Sequence, residues 1–156
     1  MEHGASANQF VNIERELSRD EQGSIADGDP GIEPGIKPLV VSLRFQNFNT
    51  TGSCEGHECS CGKAEQPYVV ICAKWYNSDD GPEDWDQAQI DWSKEVARLQ
   101  AIIDQYNTRQ GIPQDAIRMR INTSKLPGWS ALEFIGSTLD ENRKLVLDFS
   151  DFLRTL

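Results

Sequence analysis

The sequence predicts an α+β domain, and three patterns carry that expectation. Leu39, Val41, Leu43 and Phe45 alternate with Val40, Ser42, Arg44 and Gln46, the period of a half-buried strand. Trp85, Trp92, Val96, Leu99, Ile103 and Tyr106 trace a single stripe at helical spacing. Alternating runs recur on both sides of that stripe. The simplest arrangement has two layers, with one long helix on one face of a mainly antiparallel five-stranded sheet in the order β-β-α-β-β-β.

Each element follows in chain order. Residues 1–37 read as an N-terminal arm and linker ahead of one domain at 38–156. Phe10, Ile13 and Leu17 recur at helical spacing, which predicts a short helix over 8–21. Three prolines and three glycines between Asp27 and Pro38 then break regular structure. The first strand begins at Leu39. A second runs from Tyr68 to Tyr76, with Val69, Ile71, Ala73 and Trp75 on its apolar side and Cys72 on the other. Asp80-Gly81-Pro82-Glu83-Asp84 reads as a helix start, with proline in the first turn and acids at the positive end of the dipole. Gly111 and Pro113 end that helix. Ile117, Met119 and Ile121 mark a third strand, and Leu132 and Phe134 a fourth. A turn at Asp140-Glu141-Asn142 leads to a fifth over Leu145, Leu147 and Phe149, paired with the fourth as a hairpin.

Composition bounds the function. At 156 residues, 38% apolar and 26% charged, the chain is long enough to bury a core. No apolar run is long enough to span a bilayer, and residues 1–10 lack the basic and apolar regions of a secretory signal. A cytoplasmic location is the expectation, where thiols stay reduced. The net charge of −10 disfavours nucleic acid and membrane phosphates and favours basic partners. Its densest stretch, Asp79, Asp80, Glu83, Asp84, Asp86 and Asp91, surrounds Trp85 and holds no base. That stretch is the expected partner-binding face.

Three of the four cysteines and one of the two histidines crowd into Cys54-x2-His57-x-Cys59-x-Cys61, with Cys72 following on the second strand. Zinc takes four such donors in a tetrahedron. Four ligands this close along the chain are cramped, so three loop residues plus Cys72 form the more comfortable set. Free thiols, disulfides and an iron–sulfur cluster remain alternatives. His57-Glu58-x-x-Cys61 differs from a zinc-protease helix motif in its second ligand, and the flanking Gly56 and Gly62 oppose a helix. Walker, dinucleotide-binding and nucleophile-elbow signatures do not occur.

These observations favour a small acidic protein-binding domain of inhibitor or antagonist type. It would dock a basic protein surface, with the Cys/His loop as a structural clasp holding zinc. One alternative is a zinc- or thiol-dependent enzyme working through the Cys54–Cys61 loop. Another is nucleic-acid binding through a basic sheet face of Arg44, Lys74, Arg118, Arg120 and Lys144.

Overall fold

The computed structural model describes residues 32–58, 65–76, 81–113, 115–123 and 128–156. The helix expected over 8–21 lies outside them. The described elements run α1 (Lys37–Phe45), β1 (Asn49–Cys54), β2 (Tyr68–Cys72), α2 (Trp85–Gln110), β3 (Met119–Thr123), β4 (Trp129–Phe134) and α3 (Leu139–Arg154). The α+β class holds, with one antiparallel four-stranded sheet in the order β1-β2-β4-β3 and three helices.

Two of the five expected strands are helices. Leu39, Val40, Val41, Ser42 and Leu43 are all buried, so α1 has almost no polar side to betray a helical period. An apolar run this short fits a strand or a buried helix equally well by pattern alone. Pro38 in its first turn is compatible with the helix because that position has no intrahelical N–H bond to lose. Its end is closed by Asn47 at φ 65°, with Phe48 N–H donating to Leu43 O at 3.0 Å. Asparagine tolerates the left-handed region better than other non-glycine residues.

The second correction concerns Leu145, Leu147 and Phe149. Leu147 is 48% exposed, whereas Val146 is buried, which is the reverse of strand alternation. The buried set Asn142, Leu145, Val146, Phe149, Ser150 and Leu153 follows helical spacing. Thr138 caps the helix by accepting from Glu141 N–H at 3.2 Å, and Asp140 and Glu141 complement its dipole. The residues read as a turn are therefore the first turn of α3. The hairpin partner of β4 is β3.

The long helix forms where expected but begins at Trp85, so Pro82 precedes its cap rather than sitting in the first turn, and Trp85 is exposed rather than part of the buried stripe. Asp84 accepts from Asp86 N–H at 3.0 Å and Gln87 N–H at 3.2 Å, and Gly111 ends the helix at φ 67°. Ala88, Trp92, Leu99, Ile103 and Tyr106 form its buried stripe.

Register puts Leu132 between Val69 and Ile121, and Met119 opposite Phe134, so these side chains share one sheet face. They join residues of all three helices in one core. Phe149 sits at its centre, edge-on to Tyr106 at 5.3 Å and to Phe134 at 6.5 Å. Ser42 and Ser150 share a buried hydroxyl contact at 2.8 Å between α1 and α3, which satisfies two polar groups within the apolar layer. The opposite sheet face carries Tyr68, Val70 and Cys72 on β2 and Glu133 and Ala131 on β4.

Candidate functional site

The β1–β2 hairpin has two chemically different ends. At one end, Cys54 closes β1 opposite Tyr68. Gly56 follows at φ 84°, packed so closely that an added Cβ would meet Glu65 O at 2.8 Å and Leu139 Cδ1 at 2.6 Å. Glycine is required there by both conformation and space. His57 and Glu65 then exchange backbone hydrogen bonds of 2.9 and 2.8 Å, while Arg143 Nη2 donates to Gly56 O at 2.6 Å. The backbone from Cys54 to His57 is thus held from both sides.

The linker before α1 returns to this point. Glu33 Oε1 accepts from Glu55 N–H at 3.0 Å, and Glu55 Oε2 accepts from Gly35 N–H at 2.8 Å. This reciprocal pair lashes residues 33–35 to the end of β1. The other oxygen of Glu33 lies 2.6 Å from His57 Nε2. One donor atom each from Glu33, Cys54 and His57 lies within 4.8 Å of the other two. Cys54 is buried, whereas the His57 side chain is 48% exposed.

A cysteine, a histidine and an acid at this separation are also the donor types of a nucleophilic thiol. The electrostatics here run against that use. Burial pushes the Cys54 thiol up; the Gly56 N–H to Sγ contact partly offsets this, and the Glu65 and Glu33 carboxylates push it further up. A reactive thiol needs the opposite environment, one that favours thiolate.

Of the expected metal ligands, Cys54 and His57 are brought together. Cys59 and Cys61 lie outside the described residues. Cys72 is not part of this cluster. It pairs with Asn49, four positions along the ladder from the Cys54–Tyr68 pair, or about 13 Å at strand spacing. The set of three loop residues plus Cys72 therefore does not close around Cys54. Glu33 stands there instead, and no local spacing pattern marks it, since it is a lone acid between Ile32 and Pro34 in the linker.

At the other end of the hairpin, Asn49 Nδ2 contacts Cys72 Sγ at 3.4 Å. Burial pushes that thiol up as well, with Arg44 acting weakly the other way. A cavity of 530 Å³ opens beside it, lined among others by Asn49, Trp75, Asp91, Trp92 and Glu95. Trp75 meets Trp85 edge-on at 5.3 Å. Trp85 is 55% exposed and Ile90 50% exposed. Glu83, Asp84 and Asp86 neighbour Trp85 along the chain, with Asp84 occupied as the helix cap, while Ile90 lies on another face of α2 beside Asp86, Ser93 and Lys94. Asp79 and Asp80 lie outside the described residues.

The expected basic sheet face does not form. Arg44 is on α1 and donates to Thr50 Oγ1 at 2.9 Å, and Lys144 is on α3. Lys74 lies in the turn after β2, and Arg118 precedes β3. Only Arg120 of the five is on the sheet, where Glu133 meets it at 2.6 Å. The set assumed strands at both positions that are helical. No described helix is long and apolar enough to cross a membrane.

No protein-family model matches the chain, and no curated protein or solved structure matches it significantly.

Proposed function

We propose that this chain is a protein-binding domain, of inhibitor or antagonist type, that docks a basic partner on the corner between β2 and the first half of α2. The cavity beside Trp75 carries the reading. Trp75 and Trp92 supply apolar walls there, and the carboxylates Asp91 and Glu95 stand beside them with Lys74 and Arg98 on the same lining. A lysine or arginine side chain fits this chemistry, with its stem against the rings and its cation near the acids. Glu95 is already paired with Arg98 at 2.7 Å, and Asp91 accepts from Gln87 Nε2 at 2.9 Å, so an incoming cation takes the remaining Asp91 oxygen in competition with Lys74. Trp85, exposed beside Trp75, provides the apolar contact that tryptophan-rich interfaces use.

The test is a pair of short peptides of equal length, one rich in lysine and arginine and one acidic, titrated while following tryptophan fluorescence. The basic peptide should bind at low salt, and affinity should fall as salt rises. Trp85→Ala and Asp91→Asn should each weaken it by fivefold or more. Equal binding of both peptides, or binding indifferent to salt and to both substitutions, would remove the proposal.

A further inference from the structure

We infer that Glu33, Cys54 and His57 form a binding site for a borderline divalent metal ion, zinc being the best match, at the junction of the linker and the β1–β2 hairpin. This inference stands apart from the docking corner, which lies at the other end of the hairpin.

The donor set carries it. A thiolate, an imidazole and a carboxylate are the three side chains that zinc accepts, and hard cations such as magnesium take oxygen alone. Thiolate and carboxylate together neutralise a divalent charge. In a tetrahedron with bonds of 2.0–2.3 Å, donor atoms stand about 3.3–3.8 Å apart. The present atoms lie within 4.8 Å of one another, with Glu33 and His57 at 2.6 Å. The Glu33–His57 pair would have to open, by roughly 1 Å, to reach the tetrahedral spacing.

The support behind the donors is the second independent observation. Metal ligands work best when neighbouring groups fix their orientation. Glu33 is oriented by Glu55 N–H, and the His57 backbone is fixed by its exchange with Glu65. The peptide between Cys54 and His57 is held by Arg143 donating to both Glu55 O and Gly56 O. Three segments far apart in sequence are thereby arranged before any ion arrives. The exposed edge of His57 provides an entry path. Three protein donors leave a coordination position for solvent or a further donor, so the ion would tie Glu33 to the hairpin.

Cobalt(II) reports directly on this geometry, because a cobalt–thiolate bond absorbs in the near ultraviolet. Chelator-treated, reduced full-length protein should take up one equivalent of cobalt with that absorption, and zinc should displace it. Cys54→Ser should abolish the thiolate band. Glu33→Gln and His57→Ala should each weaken cobalt affinity at least tenfold. Cys72→Ser should leave both band and affinity unchanged. Circular dichroism confirms that each variant is folded, and Glu33→Gln, at a partly exposed linker position, provides the test if Cys54→Ser is not. Absence of the band in the parent protein overturns the site, as does unchanged affinity in Glu33→Gln or in a folded Cys54→Ser.

Discussion

Cys54 and Cys72 terminate neighbouring strands of one hairpin, and burial pushes both thiols up. Their surroundings then diverge. Cys54 has an imidazole and a carboxylate within ligand distance, on backbone pinned by Gly56, Glu65 and Arg143. Cys72 has the Asn49 amide and a cavity walled by indoles and by charged side chains of both signs. The donor cluster was assembled by packing a distant linker segment against one end, while the other end stayed open. The chemistry available to a cysteine is therefore set by what the fold places beside it, more than by how many cysteines lie near it in sequence.

Both ends of the hairpin stand on one core. Phe149→Ala should break that core most severely, costing about 3–5 kcal/mol as a large aromatic removed from a packed interior. Urea unfolding of the cobalt-loaded variant should then lose tryptophan fluorescence and the thiolate band in one transition. Two separate transitions would show that the ends are independent units.

The pinned end is next. Gly56→Ala should cost about 2–4 kcal/mol, combining left-handed strain with the contacts an added Cβ would make. Gly111→Ala, where the left-handed residue has open space around it, should cost only about 1–2 kcal/mol. Equal urea midpoints for the two would mean that the close packing of Gly56 contributes nothing.

Metal should separate the cysteines more finely. Zinc at a hundredfold excess over its dissociation constant should add about 2.7 kcal/mol to stability. Cys54→Ser should lose that gain, and Cys72→Ser should keep it. A gain lost equally in both would erase the distinction between the ends.

The smallest effect is that of pH on the metal-free protein. Both thiols hold their protons more tightly in the fold than in the unfolded chain. Their contribution is complete below the unfolded value of roughly 8.5 and is lost as pH climbs through the higher folded values. The urea midpoint should therefore fall on the alkaline side. Zinc affinity should move the opposite way, rising with pH as Cys54 gives up its proton to the metal. A metal-free midpoint that rises between pH 8 and 10 would contradict the buried neutral thiols.

The long helix was legible because its signals are local: acids near its start, a stripe from Trp92 to Tyr106, and Gly111 where a left-handed residue is needed, while its cap at Asp84, two residues past Pro82, was not. The strands at Tyr68–Cys72 and Met119–Thr123 were legible from alternation, though the second expected strand runs past its true end at Cys72. Helices α1 and α3 were not. Leu39–Leu43 is buried all round, and Leu145, Leu147 and Phe149 alternate within a helix whose buried side is defined by Val146, Ser150 and Leu153. Nearest-neighbour pattern cannot show which side of a short apolar run meets a core.

The same limit divides the sites. The sequence by itself determined that acids crowd the start of α2 and that Cys54 and His57 are close, because both are facts of spacing along the chain. Only the tertiary structure decided that Glu33 joins them, that Cys72 does not, and that Trp75 and Trp92 wall one cavity. Glu33 is held there by the Glu55 N–H donating to it, and the hairpin end by Arg143 donating to Gly56 O, contacts between residues 22 and 87 positions apart. Contacts at that separation are created by packing the core, and no local period encodes them.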